Sequence, residues 1–153
     1  MIATRYAKVI MTFGLALFGL IVAADNIIDY GTNFAFVQHV LSMDTTFPGS
    51  LLTWRAITAP PLHHLGYGLI IAAEAVTGVC FLVCSCQLTV NRNAPARRFH
   101  RAKSFGVIAA TIGFANWFIG FMVVGGEWFA MWEPRSGTAS RRRFISTPPC
   151  CSC

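Results

Sequence analysis

The chain has 153 residues, of which 55% are hydrophobic and only 12% charged, with a mean hydropathy of +0.57. Soluble domains carry about 25% charged residues, so this composition excludes a water-soluble globule, a disordered chain, a coiled coil and a collagen, and leaves a small integral membrane protein. The net charge of +6, from 12 Lys and Arg against 6 Asp and Glu, is gathered in short clusters beside apolar runs, as membrane proteins carry it, and not spread as a nucleic-acid-binding face.

Three apolar runs are long enough to matter. Val9 to Ala24 is uncharged and follows Arg5 and Lys8. It gives about 24 Å of helix, which a snorkelling Lys8 and the following Ile27 and Ile28 extend toward the ~30 Å hydrocarbon core. Val22-Ala23-Ala24 resembles a signal-peptidase site, but the run is long for a signal core and further spans follow, so it is read as a retained span. Leu65 to Cys86 contains one charge, Glu74, and Ser104 to Gly126 contains none. The fold class expected is therefore all-α, a transmembrane helical bundle with three spans at about 8–28, 63–88 and 104–126. A membrane domain 1–132 precedes a basic tail, 133–153, read as disordered.

The loops orient the bundle. The segment 89–103 holds Arg92, Arg97, Arg98, Arg101 and Lys103 and no acid, whereas 29–62 and its flank hold Arg55 against Asp25, Asp29 and Asp44. Lys and Arg collect in cytoplasmic loops, which puts the N-terminus and 89–103 inside, 29–62 outside, and Trp128 and Trp132 at the outer interface. In the outer loop, Phe34, Val37 and Leu41 at i, i+3 and i+7 predict a short amphipathic helix after a Thr32-Asn33 cap. Ser50 is expected to cap a second short helix with Leu51, Leu52 and Trp54, which Pro60-Pro61 ends. Both are expected to lie on the outer leaflet or cap the bundle.

The strings Asn26-Ile27-Ile28-Asp29-Tyr30-Gly31-Thr32-Asn33-Phe34 and His39-Val40-Leu41-Ser42-Met43-Asp44-Thr45-Thr46-Phe47-Pro48 resemble a bacterial family of predicted small integral membrane proteins of unknown function. So do Trp54-Arg55-Ala56-Ile57, Glu74 in its span, and Gly125-Gly126-Glu127-Trp128-Phe129-Ala130-Met131-Trp132. The resemblance implies four transmembrane helices in an inner membrane and supplies no reaction, ligand or catalytic residue. After Trp132 the chain departs from that pattern, where the family continues into a fourth span.

Glu74, near mid-membrane, is the leading candidate. An ionisable group at that depth is costly and faces a protein interior or a wet cavity. It is either a proton- or cation-handling group or a protonated carboxyl bonded to a neighbour such as Asn116 or Thr77. His39, His63 and His64 raise a haem or metal reading, since imidazole ligates iron, zinc and copper, but the first and third spans carry no His inside them. On the outer side, Asp29, Asp44, Arg55 and Glu127 either line a solute site or leave Arg55 paired with one acid. Tyr30, Trp54 and Trp128 are expected to anchor the interface. Cys80, Cys84 and Cys86 are expected to act as small apolar residues. Small residues make the helix grooves: Gly106, Ala109, Gly113, Asn116 and Gly120 as one stripe, Gly14, Gly19 and Ala23 on the first span, Ala75 and Gly78 on the second.

The tail carries Arg141-Arg142-Arg143 and ends Pro149-Cys150-Cys151-Ser152-Cys153. Three spans would place those arginines outside, against the rule that orients everything else. Pro-Cys-Cys-Ser-Cys is encoded CCN-TGY-TGY, a serine codon, TGY. Read two bases later, with TCN for serine, those letters give NTG-YTG-YTC-NTG, an apolar run of Leu, Met, Val or Phe. The expectation is a frameshift after Trp132 that replaced a natural fourth helix.

The function expected is a non-enzymatic accessory or small-solute/ion-binding component using Glu74, with a haem- or metal-binding redox protein using His63 or His64 as the alternative. No catalytic residue and no cofactor is predicted. The partners expected are the lipid bilayer and another membrane protein or a second copy, and no nucleic acid.

Overall fold

The computed structural model describes residues 2–47 and 49–133; the tail from residue 134 on lies outside the described residues. Three helical stretches there are long and apolar enough to cross a membrane: Ile2–Ile28, Pro60–Val90 and Ala96–Trp128. No strand occurs among the described residues. The chain forms α1 (Ile2–Ile28), α2 (Tyr30–Ser42), a 3-10 turn (Thr53–Arg55), α3 (Pro60–Val90), α4 (Ala96–Arg101) and α5 (Ser104–Gly113), and α5 passes into a π-wound segment (Phe114–Trp128). The helices outrun the apolar runs because backbone hydrogen bonding continues into the interfacial zone, whereas hydropathy marks only what lipid requires.

α3 is the axial element, with α1 and α5 packed against it. Its buried residues include Tyr67, Glu74, Phe81 and Leu88, one every seven positions, joined by Thr77, Gly78, Cys84 and Ser85. That spacing keeps them on one face of a helix. The α1–α3 contact is tight enough to exclude side chains. A Cβ on Gly78 would lie 2.8 Å from the Leu20 backbone nitrogen, and one on Gly19 would lie 3.0 Å from the Gly78 Cα. Ala16 and Ala23 of α1 are buried beside this crossing. Lipid supplies no hydrophobic drive between helices, so such close approach and its dispersion contacts hold the pair together. Many large apolar side chains point outward, among them Ile10, Phe18, Leu69, Val107 and Phe118.

Several local expectations are corrected. Helix α2 starts at Tyr30 with Asp29 as N-cap, so Thr32 and Asn33 lie inside it. The Asp29 amide donates to the Asp25 carbonyl and the Asn33 amide to the Asp29 carbonyl, so helical hydrogen bonding carries across the junction and no side-chain cap is needed. The second loop helix is only the 3-10 turn, though the Leu52 amide does donate to Ser50 Oγ. Pro60-Pro61 opens α3 instead of closing what precedes it; proline is suited to a first helical turn, where its missing N–H has no partner to lose. Within the segment 89–103, residues 96–101 form the short helix α4, and Phe99 and Ala102 pack on Cys84 and Leu88. The small-residue stripe holds at Gly106, which abuts Cys84, and Gly113, which abuts Thr77, but not at Gly120, where a Cβ would meet only its own helix. Beyond Gly113 the i→i+5 bonding of the π segment changes the residues per turn, so a seven-residue repeat no longer stays on one face. Gly14 also faces open space.

Candidate functional site

Glu74 is near the midpoint of α3, about 21 Å of helix from Pro60 and 24 Å from Val90. It is 2% exposed. Its partner is neither Asn116 nor Thr77: Asn26 Nδ2, on α1, donates to Glu74 Oε2 at 2.7 Å. The Gly19–Gly78 crossing turns this face of α3 toward α1, which is why a residue 48 positions away supplies the bond. Tyr67, two helical turns from Glu74 on the same stripe, donates its hydroxyl to the Asn26 carbonyl at 2.9 Å and lies 3.3 Å from Asn26 Oδ1. Asn26 thus bridges a carboxyl and a phenol across two helices. Thr77 Oγ1 and Asn116 Nδ2 are buried without a hydrogen-bond partner among the described residues.

The Glu74–Asn26–Tyr67 group opens onto a cavity of about 250 Å³ that Asn33 and Trp117 also line. A second cavity of about 230 Å³, almost wholly apolar, adjoins it; Phe36, Val37, Ile70 and Phe121 line both, and Asn116 lines only the second. Glu74 and Asn116, expected as direct neighbours, therefore border adjoining chambers. The unpartnered Asn116 Nδ2 belongs to a residue lining the second chamber, and the Glu74 carboxyl to one lining the first.

The residues expected on the outer side gather in separate places. His39 Nδ1, in the last turn of α2, pairs at 2.9 Å with Asp44 just past the helix end, and both residues are exposed. Arg55 makes no ion pair among the described residues, contrary to the pairing expected of it. Its guanidinium carbon sits 4.4 Å from the Trp128 ring centroid and 5.4 Å from Trp54, and Nη1 donates to the Trp128 carbonyl at 3.3 Å. Indole faces attract a guanidinium through their quadrupole, so two rings take the place an acid was expected to fill. Asp29 and Glu127 are exposed.

His63 and His64 part company. His63 is 2% exposed and shares a hydrogen bond with the Ile57 carbonyl through Nε2 at 2.7 Å, which fixes the ring as an Nε2 donor. Its Nδ1 is buried without a partner. His64 is exposed, stacks on Phe34 at 4.1 Å and meets the Tyr30 hydroxyl through Nδ1 at 2.8 Å. Tyr30 thus joins an aromatic cluster with Phe34, His64 and Tyr67. No group of three or more His, Cys, Asp and Glu side chains comes together among the described residues, so nothing here supports the haem or metal alternative. Cys84 is buried, with its thiol 3.7 Å from the Ala102 carbonyl, Cys80 is half-buried and Cys86 exposed.

Asn26 and Tyr67 are the site residues that sequence reasoning passed over. Tyr67 had a signal, its seven-residue spacing from Glu74 on an apolar helix. Asn26 had only its place as an uncharged polar residue at the end of the first apolar run, which does not name a partner.

No curated protein and no solved structure matches the chain. One family profile does, over residues 4–147, and its description is "Predicted small integral membrane protein (DUF2165)". The match runs past Trp132, so it sets no boundary at the point where the sequence reading has the chain leaving the family pattern. With three apolar helices of spanning length, an intramembrane Glu74 and a match over nearly its whole length, this chain belongs to that family of small integral membrane proteins.

Proposed function

We propose that this protein is a non-enzymatic component of a bacterial inner membrane that binds a small cation or cationic solute at Glu74, with its N-terminus and α4 on the cytoplasmic side. The observation that carries the proposal is the setting of Glu74: a carboxyl 2% exposed, mid-span, bonded to Asn26 and lining a cavity of about 250 Å³. A carboxyl in hydrocarbon is costly unless a partner or a counter-charge compensates it, and the amide supplies one hydrogen bond but no positive charge. A bound cation supplies that charge, with the Asn26 carbonyl oxygens and the Tyr67 hydroxyl as further oxygen donors to a hard ion. The apolar chamber beside it suits the hydrocarbon part of an organic amine.

The test is thermal unfolding of the detergent-purified protein in Li⁺, Na⁺, K⁺ and a short alkylamine, at constant ionic strength with choline as the inert cation. At least one of them raises the melting temperature of the parent, and Glu74→Gln, which keeps the hydrogen-bonding shape, abolishes the rise. Equal shifts in parent and variant, or no shift with any of the four, overturn the proposal.

The tail belongs to the same reading. We infer that a frameshift after Trp132 replaced a fourth span encoded in the neighbouring frame, a reading that the possible codons of Pro149-Cys150-Cys151-Ser152-Cys153 support. Sequencing the gene through and past the codons for 133–153 decides this: absence of about 20 apolar codons opening in that frame overturns it.

A further inference from the structure

The basic end of the bundle holds a groove that the Glu74 site does not explain. It runs between α1 and α5 over a floor of α3, with a volume of about 620 Å³. Its walls are largely apolar, with Leu15 on α1, Val107 on α5 and Phe114 at the start of the π segment, and Leu88 of α3 beneath. Two side chains at its mouth are not apolar. Lys8, on α1, and Lys103, at the start of α5, both line the groove. Two like charges bordering one apolar groove repel unless an anion neutralises them.

No acidic side chain among the described residues does so. The six acidic residues are Asp25, Asp29, Asp44, Glu74, Glu127 and Glu133. Glu74 lies mid-span, and the rest belong to the far end of the bundle, at or beyond the C-terminus of α1, in the α2 loop and at the end of the π segment. Around Lys103 stand His100, 3.3 Å away, and the ring of Phe99 at 5.5 Å, neither of which carries a negative charge. The only ion pair among the described residues is His39–Asp44, at the opposite end.

The depth of the groove identifies its occupant. From Lys103 to Phe114 the helix rises about 16 Å, half the ~30 Å hydrocarbon thickness. A further helix would need a groove along the whole span, whereas one lipid of one leaflet needs half. We propose that this groove binds an anionic phospholipid, with the headgroup phosphate between Lys8 and Lys103 and an acyl chain lying along Leu15, Val107 and Phe114.

The experiment is native mass spectrometry of the detergent-purified full chain, titrated with phosphatidylglycerol or phosphatidylcholine of identical acyl chains. Each lysine near an anionic headgroup is worth about fivefold in affinity, so the parent prefers phosphatidylglycerol by about thirtyfold. Lys8→Gln with Lys103→Gln brings the two lipids within about twofold, and Lys8→Arg with Lys103→Arg keeps the preference, which separates lost charge from lost folding. Arg97→Gln with Arg98→Gln, away from the groove, also keeps it. Val107→Trp, which fills the groove, weakens both lipids. Equal binding of the two lipids by the parent, a preference that survives in the double Gln lysine variant, an equal loss in the Arg97/Arg98 variant, or undiminished binding in Val107→Trp each overturns the proposal.

Discussion

Gly78→Ala is expected to destabilise the bundle out of proportion to the single methyl group it adds. The new Cβ would sit 2.8 Å from both the backbone nitrogen and Cγ of Leu20 and 3.0 Å from its Cδ2. Ordinary contact begins near 3.4 Å, and although the Leu20 side chain can swing aside, its backbone nitrogen cannot. Helices α1 and α3 must therefore separate by roughly 0.5–1 Å, which forfeits a quarter to a half of each facing dispersion contact. Overpacking of a close-fitted interface costs about 1–3 kcal/mol, and the upper half of that range applies because the obstacle is backbone. The same separation stretches the 2.7 Å Asn26–Glu74 bond, which is worth about 0.6–1.7 kcal/mol between membrane helices. Together these amount to about 3–5 kcal/mol. Gly14→Ala is the control, because a Cβ there meets nothing within 4 Å and exchanges glycine for a better helix former. Reversible unfolding in mixed micelles of rising dodecyl sulfate fraction, followed by tryptophan fluorescence, measures both. A Gly78→Ala midpoint equal to the parent's, or a Gly14→Ala loss as large as the Gly78→Ala loss, refutes the glycine-crossing account.

Three further outcomes are expected. Glu74→Lys fails to accumulate in membranes while Glu74→Gln accumulates like the parent, because an ammonium at mid-span costs about 3 kcal/mol on insertion scales and an amide keeps the bond to Asn26; immunoblots of membrane fractions read this, and normal insertion of the Lys variant contradicts it. Single cysteines at Thr45 and Ala94, in a background lacking the native ones, react oppositely with a membrane-impermeant reagent on intact cells, 45 labelled and 94 protected; the reverse pattern overturns the orientation. Arg55→Ala lowers stability by about 1–2 kcal/mol and shifts tryptophan emission, because Trp54 and Trp128 lose the cation between them, whereas Asp44→Ala leaves that emission unchanged; an emission shift from Asp44→Ala instead would mean that Arg55 does rely on an acid.

Hydropathy summed along the chain was enough to locate three spans, because the cost of placing each residue in lipid is set mostly by its own side chain. The same local accounting marked Glu74, since a carboxylate in an apolar run is anomalous whatever surrounds it. Polar contacts across the bundle were not legible in that way. Glu74 bonds to Asn26 instead of Asn116 or Thr77, and Arg55 lies against two indoles instead of an acid. Both outcomes depend on how each helix is rotated about its own axis. For α1 and α3 that rotation is decided by Gly19 meeting Gly78, which the small-residue pattern marks as groove positions but does not pair with each other. Past Gly113 the change to π winding ends the phase on which the small-residue stripe was drawn, so Gly120 no longer faces a neighbour. The sequence by itself determined which segments enter the membrane and at which end the positive charge collects, because those follow from free energies that add residue by residue. Only the tertiary structure decided which side chains share a cavity with Glu74 and which lysines face one another across a groove, because those are pairwise contacts fixed by close packing between helices.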